Sequence, residues 1–239
     1  MRAHNRTKEQ LRNVSFETHY IDHPEGSCLI KMGRTWVLCT ASIEEKVPPF
    51  LFGKSQGWIT AEYSMLPRAT HSRTQRESVK GKQSGRTQEI QRLIGRSLRA
   101  CVDLKKLGER SITIDCDVLQ ADGGTRIASI NGGFVALSLA IKNLLKNKKL
   151  KEDPIISPVS AVSVGMKDGE VLVDLDYVED SGCEVDMNIV MLGTDKLIEV
   201  QGTGENGTFT FPQMTAMMEM AKVSAGFIGD LQKKAIDAA

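Results

Sequence analysis

The order of elements predicts an α/β fold of the α+β kind, with antiparallel hairpins and helices packed on mixed or antiparallel sheets. Three patterns carry that expectation: β-prone runs punctuated by glycine, apolar stripes at helical spacing, and one strict alternation of apolar and polar residues. Val14 to Glu44 reads as strands, with Cys28-Leu29-Ile30 and Trp36-Val37-Leu38-Cys39 as the β-prone runs and Gly26 and Gly33 as punctuation. Gly57 to Met65 is a further extended piece. His71 to Ser84 is polar, lacks apolar periodicity and reads as a long loop. Gln88 to Leu107 reads as one helix: Ile90, Leu93, Ile94, Leu98, Cys101 and Leu104 share a face, and Arg92, Arg96 and Arg99 fall opposite, toward solvent or a partner. Ser111 to Leu119 alternates as a half-buried strand, with Ile112, Ile114, Cys116 and Val118 on one face and Thr113, Asp115 and Asp117 on the other.

Ile127 to Leu145 reads as a second helix, stopped by the basic run Lys146 to Lys151. Pro158 to Val178 reads as a hairpin turned at Asp168-Gly169, and Asp186 to Val200 as another turned near Gly193-Thr194-Asp195. Pro212 opens the last helix, whose inner face carries Met214, Met217, Met218, Ala221, Ile228 and Leu231. Each half therefore has strands followed by a helix, although no repeat is visible residue by residue.

Composition narrows the class. The 239 residues are 41% hydrophobic and 26% charged, too apolar for a disordered chain. The longest near-apolar stretch, Phe134 to Ile141, falls short of the ~20 residues of a membrane span, so no membrane partner is expected. Met1 to Arg12 is polar and basic with no apolar run behind it, which argues against a secretory signal. Cys28, Cys39, Cys101, Cys116 and Cys183 are scattered, without zinc spacing, as expected of buried reduced thiols in a cytoplasmic protein. The length fits one large domain or two fused halves, and residues 1–239 are read as a single domain.

A net charge of +1 conceals an asymmetry. Arg68 to Arg99 contains nine basic residues (Arg68, Arg73, Arg76, Lys80, Lys82, Arg86, Arg92, Arg96 and Arg99) against Glu77 and Glu89, so it carries +7 and the remainder −6. Seven of the nine are arginine, whose planar fork grips phosphate bidentately, which points to RNA or another polyphosphate.

Two places suit chemistry. Asp122-Gly123-Gly124-Thr125-Arg126 precedes a helix, where glycine admits an anion, the helix start supplies free N–H groups and Thr125 and Arg126 add donors. Ser84-Gly85-Arg86-Thr87 repeats the design, so the two turns could clamp one phosphate. The second place is acidic: Asp174, Asp176, Glu179, Asp180, Glu184 and Asp186, with Asp180 and Asp186 flanking Ser181-Gly182-Cys183 at the end of a hairpin. Such carboxylates hold a hard cation, move a proton or form a solvated acidic loop. Beside anion-binding turns and a basic loop they suggest phosphoryl chemistry on nucleic acid.

The runs Gly57 to His71 (GWITAEYSMLPRATH), Gly81 to Arg96 (GKQSGRTQEIQRLIGR) and Asp115 to Arg126 (DCDVLQADGGTR), with Glu184-Val185-Asp186-Met187-Asn188, closely resemble the ribonuclease PH family almost end to end. The resemblance implies a fold like domain 2 of ribosomal protein S5, in two related strand-helix halves. It implies a phosphate-dependent 3′→5′ exoribonuclease (a tRNA nucleotidyltransferase) that trims tRNA precursors and other RNA 3′ ends and releases nucleoside diphosphates. It also implies a homohexamer built as a trimer of dimers. On this chain the family's inorganic phosphate site falls on Arg86, Gly124, Thr125 and Arg126. Its catalytic, Mg²⁺-associated carboxylates fall on Asp180 and Asp186, and RNA contacts on Arg68, Arg73 and Arg76; Arg92 joins these as a further RNA-facing arginine. The chain departs from the family at Thr74-Gln75, where further basic residues are usual, at Asn131-Gly132-Gly133 and at His4-Asn5. Two alternatives are a non-catalytic RNA-binding ring subunit, which would lack the phosphate arginines or the acidic pair, and a hydrolytic Mg²⁺ nuclease, which phosphate dependence separates.

Overall fold

Two sheets share one central helix. The computed structural model describes Arg2 and residues 5–239; His4, half of the amino-terminal departure, lies outside them. β1 (Val14–Thr18), β2 (Gly26–Met32), β3 (Thr35–Glu44), β5 (Ser111–Gln120) and β4 (Trp58–Met65) form the first sheet in that order. All its pairs are antiparallel except β4–β5, which is parallel and is linked by a helical crossover. The second sheet has the order β7 (Glu170–Val173), β6 (Val159–Lys167), β8 (Val185–Leu192), β9 (Lys196–Gly204) and is wholly antiparallel.

The crossover holds three helices: α1 (Glu77–Lys80), α2 (Gly85–Ala100) and α3 (Leu104–Leu107). The single helix expected from Gln88 to Leu107 is thus two. Val102 leaves the helix to bridge Ile155, and the Asp103 carboxylate accepts from the N–H groups of Lys105 and Lys106 to start a new turn. Apolar spacing runs through this break because Cys101 and Leu104 are both directed inward. The expected loop between His71 and Ser84 contains α1, because the Glu77 carboxylate accepts from Ser84 N–H and Thr87 Oγ1 and folds the segment back on α2. Those bonds outweigh the burial that opposes ionisation and hold Glu77 below the usual carboxylate range.

Central helix α4 (Thr125–Lys146) lies between the sheets and is buried on nearly all sides. It is long and apolar enough to cross a membrane, but 89% of its apolar stretch is buried inside the protein, as for a core helix. Gly132 lets it sit on β2 and β3: a Cβ there would come within 2.7 Å of Ile30 and 2.8 Å of Cys39 Sγ. Asn131 ties the helix to the second sheet, accepting from Ala161 N–H and donating to Ala161 C=O, both at 2.9 Å. The family departure at Asn131-Gly132-Gly133 is therefore a matter of core packing. All five cysteines are buried and unpaired, as expected.

The hairpin expected over Pro158 to Val178 ends at Val173. Asp174 turns the chain with φ 54°, and Asp176 caps α5 (Tyr177–Asp180) reciprocally with Glu179. The final helix α6 (Phe211–Asp237) starts on Thr210 as cap with Pro212 in its first turn, and buries Met217, Ala221 and Ile228 as the methionine stripe predicts.

Candidate active site

The glycine turn before α4 is held from three sides. Gly123 and Gly124 take φ of 76° and 67°, the left-handed region that glycine adopts without strain. A Cβ on Gly123 would lie 2.7 Å from the Asp176 carbonyl carbon, so the turn rests directly on the backbone leading into α5. Thr35 Oγ1 donates to Gly123 C=O at 2.6 Å and accepts from Asp122 N–H at 2.9 Å. Arg12 donates to Asp122 C=O at 2.6 Å. No side chain caps α4, so its first-turn N–H groups and positive dipole end are left for an anion. Thr125 Oγ1 shares a buried 2.8 Å hydrogen bond with the Tyr63 hydroxyl. Arg126, in the first turn, donates to Gln201 Oε1 at 2.6 Å on β9 and to Glu89 Oε1 at 3.3 Å on α2.

The acidic cluster divides by environment. Asp174 and Glu179 are buried partners of arginines in the polar, basic amino-terminal segment. Arg12 pairs with Asp174 at 2.6 Å, and Arg2 and Arg6 pair with Glu179 at 2.7 Å and 3.0 Å. Asp176 accepts from Val178 and Glu179 N–H as the α5 cap. These three carboxylates are spent on structure, which corrects their reading as part of one catalytic or metal-binding group. Three remain: Glu184, half-buried just before β8, Asp180, at the end of α5, and Asp186, the second residue of β8. Asp180 and Asp186 do not face each other across a hairpin, since Asp180 is helical.

Asp186 is pushed up to about 6, by burial first and by the negative charge of Asp180 second; Arg126 and a 3.2 Å hydrogen bond from Asn188 oppose the rise. Asp180 is also raised, by burial and then by Glu205, against Arg126, Arg12 and Arg86. Arg86 and Arg126, the two arginines expected to bind phosphate, therefore both favour the ionised form of Asp180.

Arg86 is exposed in the first turn of α2, and Ser84 caps that helix. It lines a cavity of 780 Å³ between the α1 segment and the outer faces of β4 and β5. Arg76 lines the same cavity, opposite Glu62, Asp115 and Asp117. Burial raises Asp115 and Asp117, and the charge of Arg76 draws Asp117 back. The alternation of Thr113, Asp115 and Asp117 carried the signal for this acidic floor. Arg68 and Arg73 are exposed. Arg92 lies apart, in a 300 Å³ groove between α2 and β9 that also contains Glu89 and Gln201, the partners of Arg126. Arg96 pairs with Glu199 at the same groove. Arg99, expected to face solvent or a partner, instead folds onto the first sheet, donating to Ile59 C=O at 2.8 Å and stacking 4.3 Å from the Trp58 ring. Thr35, Tyr63, Gln201 and Glu205 were missed from sequence because each is brought to the site from a distant strand or loop.

Among the described residues, no three or more His, Cys, Asp and Glu side chains are arranged to hold a metal ion. Two hard carboxylates nevertheless suit Mg²⁺, which keeps most of its waters and takes one or two protein carboxylates. Burial, with the charge of Glu205 on Asp180 and of Asp180 on Asp186, disfavours ionising both acids.

Comparison with known proteins gives the family. Residues 10–142 match the model of the 3′ exoribonuclease family, domain 1, and residues 157–224 that of domain 2. The chain is 56% identical over 234 residues to Ribonuclease PH of Neisseria meningitidis serogroup C, covering 98% of this chain and 97% of that protein, and matches the serogroup A protein equally. The crystal structure of rice (Oryza sativa) Rrp46 superposes with a TM-score of 0.79 at 19% identity, over 98% of this chain and 100% of that one. A chain of the Archaeoglobus fulgidus exosome with RNA bound to the active site gives 0.78 at 22%, over 98% and 92%. The two-sheet architecture is thus the S5-domain-2-like fold that the motifs implied. With a bipartite family match and relatives alike over nearly their whole length, the chain belongs to the ribonuclease PH group of the 3′ exoribonuclease family and is a phosphate-dependent 3′→5′ exoribonuclease.

Proposed function

We propose that inorganic phosphate binds at the first turn of α4, between Thr125 and the guanidinium groups of Arg86 and Arg126, and attacks the 3′-terminal phosphodiester of a tRNA precursor. The observation that carries this reading is the uncapped helix start beside Arg126, in the same electrostatic field as Arg86, Asp180 and Asp186. A phosphate oxygen bonds to the terminal phosphorus, the bond to the penultimate 3′ oxygen breaks, and a nucleoside diphosphate leaves. The attacking phosphate gives up the proton that the departing 3′ oxygen needs, so no strong base is required.

Two unit anions ~4 Å apart repel by about 4 kcal/mol at an effective dielectric near 20. The arginines and α4 N–H groups offset that repulsion, and Arg126, held by Gln201 and Glu89, is pre-aimed. Asp180 and Asp186 would hold Mg²⁺, which when bound supplies positive charge at the developing 3′ oxygen. Arg68 and Arg73 grip RNA away from the cut, Arg76 grips it from the cavity that it shares with Arg86, and Arg92 lines a second RNA-facing groove.

We read residues 1–239 as one domain, supported by a main apolar core that runs through both sheets and α4, with a small satellite cluster of Leu172, Leu175 and Cys183. Assembly into a homohexamer, a trimer of dimers, is supported by exposed aromatics such as Phe52 (84%) and Phe211 (86%), which a lone subunit leaves in water. The unpaired cysteines support a reducing, cytoplasmic setting.

The reading is tested by incubating short RNA with and without phosphate. Nucleoside diphosphates should form only with phosphate, and Arg126→Ala should raise the phosphate KM. Nucleoside monophosphates formed without phosphate would contradict it.

A further inference from the structure

We infer that Arg12 and Thr35 form a positioning clamp that holds the glycine turn of α4 at a fixed distance from the Asp180 helix. The inference rests on the phosphate-site reading above and concerns residues that touch neither phosphate nor RNA. Arg12 is buried and uses its donors in two directions. Nε and Nη2 grip both oxygens of Asp174, at 3.0 Å and 2.6 Å, while Nη1 reaches Asp122 C=O at 2.6 Å. Asp174 is two residues before the α5 cap and Asp122 two before the α4 cap. One guanidinium therefore ties the start of the carboxylate helix to the start of the phosphate helix.

Thr35, fully buried on β3, closes the clamp from the other side through Gly123 C=O and Asp122 N–H. Gly123 sits between them, against the Asp176 backbone. The grip on Asp174 is reinforced from the main chain, because Arg12 N–H also donates to its carboxylate at 2.7 Å. A lysine at position 12 keeps the charge beside Asp174 but cannot span both partners. Valine at 35 keeps the shape and removes both hydroxyl bonds.

A reacting group displaced by about 1 Å can cost up to 10²-fold in rate, so a loosened clamp should be visible in phosphate kinetics. The experiment measures steady-state phosphorolysis of a short RNA against phosphate for wild type, Arg12→Lys, Thr35→Val and Arg126→Ala, with circular dichroism and light scattering on each. The expected result is a phosphate KM raised roughly ten-fold in Arg12→Lys and several-fold in Thr35→Val, in folded protein with the wild-type oligomeric state and little change in the RNA KM. Thr35→Val carries the test if the lysine variant does not fold. Unchanged phosphate KM in the folded clamp variants, with Arg126→Ala raised, would overturn the clamp alone. Unchanged values in all three would overturn the phosphate-site reading and the clamp with it.

Discussion

Replacing Asp186 with Asn should abolish phosphorolysis and at the same time stabilise the protein. Burial and the charge of Asp180 raise this carboxyl from 3.8 to about 6. A rise of that size corresponds to about 3 kcal/mol of unfavourable ionisation at neutral pH. The carboxyl is partly exposed, and solvent screening reduces the figure to about 1–2 kcal/mol. The folded state holds the proton more tightly than the unfolded chain. The protonated group therefore favours folding fully below about pH 4, and that contribution is lost as pH rises through about 6. Asparagine keeps the shape, and its amide oxygen can still accept from Asn188, whose Nδ2 lies 3.2 Å from Asp186 Oδ2. In metal-free buffer near pH 7.5 the variant should melt roughly 2–8 °C above wild type, with both proteins at one concentration because assembly shifts the transition. The gain should shrink as pH falls through about 6 and be gone at about pH 3, where Asp186 is protonated in both the folded and the unfolded state. Mg²⁺ should raise the wild-type melting point and leave the variant's nearly unmoved. A melting point unchanged near pH 7.5, or a gain equal at both pH values, would refute the reasoning, as would full activity in Asp186→Asn.

Four further outcomes are expected. Arg86→Ala and Arg126→Ala should each raise the phosphate KM and reduce turnover by orders of magnitude with little change in melting temperature, read by nucleoside diphosphate release. The triple change Arg68→Ala, Arg73→Ala, Arg76→Ala should weaken tRNA binding and flatten its log–log salt slope by about 2–3, while phosphorolysis of a very short RNA suffers less. Activity should fall as pH drops through about 6, since a protonated Asp186 cannot hold a cation, and Asp180→Asn should shift the Asp186 titration, followed by carboxyl NMR, to lower pH. Gly123→Ala should destabilise the fold, because its Cβ meets the Asp176 backbone at 2.7 Å and the φ of 76° disfavours any side chain; a melting point equal to wild type would count against that packing.

Strands and long helices were legible because each buries one face at a regular period. The alternation of Ile112, Ile114, Cys116 and Val118 became β5, and the methionine stripe became the inner face of α6. What periodicity misses is any decision made by a single polar contact. Asp103 restarts a helix, Asp176 converts the tail of a hairpin into α5, and Arg99 turns inward onto Trp58, although spacing alone gave none of these. The candidate site is legible to the same extent. Arg86, Gly124, Thr125, Arg126, Asp180 and Asp186, the residues expected to form it, lie in motifs contiguous in sequence. Arg12 and Thr35 lie 110 and 87 residues from Asp122, a separation at which one sequence carries no local signal. Acidic residues of similar spacing proved unlike because burial and partners differ: Glu179 is enclosed by Arg2 and Arg6, whereas Asp180, next in the chain, is raised by burial and by Glu205.

The central claim, that phosphate is held at the start of α4 by Arg86 and Arg126 beside Asp180 and Asp186, is tested most directly by a crystal structure of the protein grown in phosphate with a short RNA. Phosphate hydrogen-bonded to the first-turn N–H groups of α4 and to Arg126, with the RNA 3′ end against it, is the predicted result. Phosphate bound elsewhere, with the α4 turn and Arg126 facing only water, would contradict the account.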